Sequence, residues 1–254
     1  MKTQTVPAKV PTLIAHRGYA LRYPENSLEA MEAALKAGAL HVEFDVHLSA
    51  DEEPVVIHDA KLLRTAGIQD EVFDLSADEL SKLTVNESSR LGDTFSDVQL
   101  PTLKQMVKLL ESWPQANAFV ELKRASLKHF GIEPMVTRVM DALKPIAERC
   151  IIISFNAEAV AEARKQGATA VGWVMETWDE ETYCTATELA PDYLFCDHEL
   201  IPAEAELWSG PWRWALYEIT DPDQALQLAA RGAELIETMA IVELLDDPRL
   251  RAED

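Results

Sequence analysis

Glu43 and Asp45 stand two residues apart in the stretch Leu40 to Asp59, and His58 lies near its end. Val42, Phe44, Val46 and Leu48 alternate there with His41, Glu43, Asp45 and His47. That period of two is the one a pleated strand imposes, and it turns both carboxylates to the same face. Ser49 to Pro54 has turn-forming composition, after which Val55-Val56-Ile57 reads as a returning arm. Folding the arms about Asp51 and Glu52 pairs positions that sum to about 103, which brings His58 beside Asp45. Alternating carboxylates on a strand are ordinarily its solvated face. This strand is apolar enough to be central, where an unpaired charge is costly, so two acids and an imidazole are expected to converge.

Two further pairs fall at the ends of apolar runs: His16-Arg17 after Pro11 to Ala15, and Glu121 and Lys123 closing Ala118 to Lys123. Glu43, Asp45 and Glu121 together make a hard oxygen site suited to Mg²⁺ or Ca²⁺. His16 and His58 are suited to acid/base work near neutrality, and Arg17 and Lys123 supply fixed positive charge for an anion. A cation, two imidazoles and two fixed cations suit phosphoryl transfer, where positioning and charge neutralisation carry most of the rate. Each pair alone has an ordinary explanation, Glu121 and Lys123 as a surface ion pair for example; joint placement at three strand ends carries the reading. Trp178, in a strand-to-helix loop, and Tyr217, at a strand end, are expected at the substrate rim. Asp197 reads as a cap for the turn after it. His41 and His47 are expected to face away or lie at the rim, and His129 to be exposed.

Strands are predicted at Pro11–Ala15, Leu40–Leu48, Ala118–Lys123, Cys150–Ser154, Thr169–Met175, Tyr193–Cys196, Trp212–Ile219 and Glu234–Thr238. Helices alternate with them: one after Ser27 with Leu28, Met31, Ala34 and Leu35 as its apolar stripe, then Thr102–Trp113, Ile132–Glu148 broken or kinked at Pro145, Ala157–Gln166, Glu180–Leu189, a short one after Pro202, Asp221–Ala230 and Ile241–Leu245. Eight parallel strands alternating with helices predict a single TIM (β/α)₈ barrel domain over 1–254. Residues 49–100 form a hairpin and an insertion within it, too short for a core of its own. In such a barrel the working residues lie at the carboxyl ends of the strands, where these fall.

With 254 residues and 48% apolar content, the chain can bury one large core. A formal charge of −21 argues against nucleic acid or an anionic membrane as partner. It also requires the field at an anion site to be reversed locally, by a cation or by clustered Arg and Lys. No apolar run approaches the ~20 residues of a membrane span, and Met1 to Lys9 shows no apolar leader core. Cys150, Cys184 and Cys196 are odd in number and widely spaced, which reads as buried free thiols in a reducing cytoplasm. Asp246 to Asp254 reads as a solvated, frayed tail.

The ordered motifs His16-Arg17-Gly18, Pro24-Glu25-Asn26-Ser27, Val42-Glu43-Phe44-Asp45-Val46, Val55 to Asp59, Leu100-Pro101-Thr102-Leu103, Glu121-Leu122-Lys123 and Ile153-Ser154-Phe155 resemble the glycerophosphodiester phosphodiesterase family. The resemblance implies a TIM barrel with an insertion after its second strand. It implies hydrolysis of glycerophosphodiesters, such as deacylated phospholipids, to sn-glycerol 3-phosphate and an alcohol. Carried over, Glu43, Asp45 and Glu121 hold a divalent metal, His16 and His58 are the acid/base pair, and Arg17 and Lys123 contact phosphate. It further implies that a neighbouring glycerol hydroxyl attacks phosphorus first, giving a cyclic phosphate that water opens. The second half departs: Tyr217-Glu218-Ile219-Thr220 and Thr238-Met239 stand where the family often has a Trp- or Tyr-Thr-Val-Asn strand and a Thr-Asp pair. That departure bears on the glycerol or leaving-group pocket. Two alternatives share the site: cleavage of lysophospholipids in the manner of a phospholipase D, and a barrel that binds phosphodiesters without turnover.

Overall fold

The computed structural model describes residues 10–251; the reading of Met1 to Lys9 and the last three residues of the acidic tail lie outside them. Nine strands run in chain order: β1 (Thr12–Ala15), β2 (His41–Leu48), β3 (Pro54–Val56), β4 (Asn117–Leu122), β5 (Cys150–Ser154), β6 (Ala170–Met175), β7 (Tyr193–Asp197), β8 (Arg213–Tyr217) and β9 (Leu235–Thr238). All except β3 pair in parallel, in the order β1-β2-β4-β5-β6-β7-β8-β9, and β9 returns to β1 with Ile14 opposite Glu237. This is the closed eight-stranded parallel barrel with surrounding helices that the alternation predicts. β3 lies antiparallel against β2 with Val46 opposite Val56.

Strand parity divides the core in two. Ile14, Phe119, Ile153, Val174, Phe195 and Leu235 point into the barrel, while Val42, Phe44, Val46 and Val120 pack outward under the helices. Both sets are apolar because parallel strands here are covered on both faces. Glu43 and Asp45 have the opposite parity to Phe44 and therefore face inward. The helix Leu28–Lys36 buries Ala30, Met31, Ala34 and Leu35, and its first turn is capped by Ser27 Oγ accepting from Ala30 N at 3.0 Å. Pro145 ends the helix Ile132–Leu143 as expected, and a 3₁₀ segment with a non-helical Ile146 follows.

Three expectations are corrected. The insertion does gather a satellite core, in which Val55, Ile57, Leu62, Val72, Leu80 and Leu100 are buried together. Arg124–Phe130 is a helix the sequence reading passed over. After Pro202 there is no helix; His198–Leu200 is a 3₁₀ turn, and the chain to Trp212 is irregular. The three cysteines are free, Cys150 and Cys196 buried but Cys184 exposed. Among the described residues no helix is long and apolar enough to cross a membrane.

Candidate active site

The first element of the site is the turn after β1. Arg17 takes a left-handed backbone (φ 54°), which aims its N–H at Glu43 Oε2, 3.0 Å away. Gly18 follows with φ 79°, and a Cβ there would lie 2.6 Å from the backbone carbon of Ala30. Only glycine lets this turn lodge against the helix that follows. Gly18→Ala is expected to cost roughly 2 kcal/mol or more, from strain and backbone overlap together. Thermal unfolding would show it, and an unchanged midpoint would mean the turn does not depend on that close approach.

β2 and β4 deliver the acids. Glu43, Asp45 and Glu121 are brought together, each offering an oxygen within 4.8 Å of the others. Lys123 Nζ lies 3.1 Å from Asp45 Oδ1 and 2.7 Å from Glu121 Oε1. On the other side Arg17 Nε lies 3.2 Å from Asp45 Oδ2, and its Nη1 lies 3.2 Å from Glu25. Buried Asn26 holds Asp45 from both ends: its Nδ2 donates to Asp45 Oδ2 at 2.7 Å and its Oδ1 accepts from Asp45 N at 3.1 Å. Glu43 Oε1 has no hydrogen-bond partner, and Asp45 Oδ1 and Glu121 Oε1 face only the lysine. Buried carboxylate oxygens left this way fit a divalent ion with oxygen preference.

The charges of this group are strongly coupled. Burial and the neighbouring carboxylates of Asp45, Glu237 and Glu121 push the Glu43 carboxyl well up. Burial opposes ionisation of Asp45 too, but Lys123 and Arg17 outweigh it and hold that carboxyl well below the usual range. Burial raises Glu121, against the pull of Lys123. His16 is pushed down by burial and by Arg17, and His58 by burial, partly offset by Asp45.

His58 reaches the site from just beyond β3. The hairpin pairs positions that sum to 102 rather than 103, so Ile57 N, not His58, bonds to Asp45 O, at 3.0 Å. His58 Nδ1 is held by Asp59 Oδ1 at 2.6 Å, and Asp59 in turn by Arg64 Nε at 2.6 Å. Arg64 also meets Glu25 at 2.6 Å, closing a charged chain from the insertion back to Arg17. His16 Nε2 lies 3.9 Å from Glu43 Oε2. His16, Arg17, Glu43, His58, Glu121 and Lys123 line one pocket of about 400 Å³ at the barrel mouth.

Of the two rim residues expected, Tyr217 lines this pocket. Trp178 does not: its ring stacks on Trp208 at 4.1 Å and lies 5.7 Å from Trp214, away from the pocket. Asp197 caps its turn as read, accepting from Glu199 N at 2.9 Å. Sequence reasoning missed Glu237, buried on β9 and facing the same pocket. The signal was there, because Glu237 shares the inward parity of Leu235. Phe155 and Glu218 line the pocket as well, and Glu218 has a left-handed backbone with φ 65°.

His47 is also corrected: it neither faces away nor sits on the rim, being 1% exposed. Its Nε2 lies 3.1 Å from the carbonyl of His58 and its Nδ1 2.8 Å from Ser126 Oγ. The carbonyl can only accept, so the ring carries its proton on Nε2 and takes a bond from the serine. Burial pushes its pKa down to about 4. A histidine lying lower in the fold than in the unfolded chain contributes stability above about pH 6.5 that is lost as pH falls towards 4. The expected loss for this group is about 3 kcal/mol over that window, seen as a falling denaturant midpoint. His47→Gln should flatten the slope, and an unchanged slope would dismiss His47 as its source.

Residues 16–199 match the pattern of the Glycerophosphoryl diester phosphodiesterase family. A glycerophosphodiester phosphodiesterase of Caldanaerobacter subterraneus is 29% identical over 195 residues, 74% of this chain and 79% of that one. Another, from Bacillus altitudinis, is 32% identical over 149 residues, 59% of this chain and 60% of its own. The chain spans about 60% of the length of the Bacillus relatives it matches. Among solved structures, an Oleispira antarctica phosphodiesterase in complex with the product sn-glycerol-3-phosphate superposes with TM-score 0.81 at 23% identity, over 92% of this chain and 95% of that chain. The fold is shared with that protein, and the match over residues 16–199, which takes in every residue brought together at the barrel mouth from His16 to Lys123, places this chain in the glycerophosphoryl diester phosphodiesterase family.

Proposed function

We propose that this chain is a hydrolase that cleaves glycerophosphodiesters to sn-glycerol 3-phosphate and an alcohol with a divalent ion, Mg²⁺ or Ca²⁺, as cofactor. The observation that carries the reading is the lining of one pocket by two imidazoles, two fixed cations and the Glu43 and Glu121 carboxylates, with Asp45 buried behind them. Glu43, Asp45 and Glu121 hold the ion, which when bound offsets charge building on the phosphoryl oxygens. Arg17 and Lys123 are already fixed by Asp45 and present their remaining N–H groups to the phosphate without reorganising.

Proton transfer falls to His16 and His58. Asp59 occupies His58 Nδ1, so Nε2 is the nitrogen left to exchange protons with substrate. One imidazole takes the proton of the attacking hydroxyl while the other donates to the departing alkoxide oxygen. Both rings are held towards the neutral form, so the base role is ready and the donor needs the anionic substrate beside it to keep its proton. When water opens a cyclic phosphate formed by the glycerol hydroxyl, the two roles exchange.

The low charge of the whole molecule is consistent with a small soluble substrate, and three free thiols with a cytoplasmic setting. The test is release of glycerol 3-phosphate from glycerophosphocholine or glycerophosphoethanolamine, abolished by a chelator and restored by Mg²⁺ or Ca²⁺. Binding without product would favour a barrel that does not turn over. Faster cleavage of a lysophospholipid than of its deacylated counterpart would shift the reading to a lysophospholipase D.

A further inference from the structure

Glu237 is an acid that the phosphodiesterase reading leaves without a task. It is 4% exposed at the barrel mouth, yet its Oε1 has no hydrogen-bond partner. His16 and Glu43 lie beside it, and one ligand atom from each of the three falls within 4.8 Å of the others. These two neighbours are equally buried and equally short of partners, His16 at Nδ1 and Glu43 at Oε1. The orphaned atoms thus belong to two overlapping groups that share Glu43: an all-oxygen group with Asp45 and Glu121, and a mixed nitrogen and oxygen group with His16 and Glu237.

The donor sets differ in kind. Carboxylates alone suit Mg²⁺ or Ca²⁺, whereas an imidazole with two carboxylates suits Zn²⁺ and similar borderline ions, with a further position open to water. A tetrahedral zinc shell with bonds of about 2.0–2.2 Å needs donor atoms about 3.4 Å apart. His16 Nε2 and Glu43 Oε2 already stand 3.9 Å apart, so a small side-chain rotation would suffice. Charge favours the same outcome. Glu43, Asp45, Glu121 and Glu237 outnumber Arg17 and Lys123 at the mouth, and one dication on the oxygen group leaves Glu237 without a counter-charge.

We propose that His16, Glu43 and Glu237 form a second cation seat, selective for Zn²⁺-like ions, and that filling it inhibits hydrolysis by occupying the lone pair His16 needs as base. The seat itself stands on the geometry; the inhibition rests on the role proposed for His16. Calorimetric titration of the metal-free chain with Zn²⁺ should show two ions bound. Glu237→Gln should retain one, with the other weakened at least about 100-fold, since loss of a partner that merely supports a ligand already costs 10–100-fold. Glu121→Gln should lose the other ion and keep this one. With Mg²⁺ present, added Zn²⁺ should suppress turnover in the wild type and do so less steeply in Glu237→Gln, each normalised to its own rate. One Zn²⁺ per wild-type chain overturns the seat without reference to any variant, as does an unchanged two-ion stoichiometry in a folded Glu237→Gln. Two ions with no suppression overturn the inhibition. A chain that shows no hydrolysis with Mg²⁺ refutes the functional reading while the stoichiometry still judges the seat.

Discussion

His16→Ala and His58→Ala are each expected to lower kcat by about 10²- to 10⁴-fold, the range over which positioned proton transfer contributes. The two rings face one pocket from separate elements, the β1 turn and the chain beyond β3. They serve opposite protons of the same step, so the double variant should be little worse than either single one. Truncation should spare the fold. His58 is only partly buried, and Asp59 keeps its contact with Arg64 when the ring is gone. KM should change little, because Arg17 and Lys123 remain to hold the phosphate. Steady-state kinetics with glycerophosphocholine would check this, alongside thermal melts to confirm folding. A folded variant within tenfold of wild-type kcat would remove that histidine from the chemistry.

How far these rings could be found from sequence depended on periodicity. Glu43 and Asp45 were legible because a strand's parity is strict, and two charges on one face of an apolar run must be accounted for. The same rule applied to Leu235 and Glu237 would have found Glu237, but reading only the last residue of each strand selected Thr238 instead, whose hydroxyl accepts from Ala240 N within its own turn. The return of His58 was legible to within one residue. The ladder register stops at Val56, and past it the backbone bends His58 towards Asp45 without pairing. Contacts between distant charged residues left no such trace. Arg64 in the insertion joins Glu25, Asp59 and Glu87, and nothing in their spacing announces it. Trp178 shows the converse limit. Its loop was placed correctly, but Trp208 and Trp214, from a segment without regular structure, take up its face. His47 was misread because its partners are a helix serine and a main-chain carbonyl, Ser126 and His58, and the helix carrying Ser126 was itself unforeseen.

Glu121→Gln should separate metal binding from folding, with opposite signs. In the metal-free chain Glu121 gains from Lys123 but is crowded by burial and by Asp45, and the balance raises its carboxyl pKa. Two ionised carboxylates 4.8 Å apart repel by about 3 kcal/mol at an effective dielectric near 20. A neutral amide of the same shape relieves that repulsion, and Lys123 keeps Asp45 at 3.1 Å. The metal-free variant is therefore expected to melt at or above the wild-type temperature. Addition of Mg²⁺ should act the other way. At a concentration about 100 times its dissociation constant, an ion bound only by the folded state adds about 2.7 kcal/mol. In a chain of this size that raises the midpoint by roughly 5–10 °C. The variant, having lost one of three ligand carboxylates, should show little of this rise, and its turnover should need far more Mg²⁺ to recover. Differential scanning calorimetry with and without the ion reads both effects at once. A metal-free variant less stable by more than about 1 kcal/mol would show that Glu121 serves the fold through Lys123, and an undiminished Mg²⁺ shift would take Glu121 out of the ion's shell.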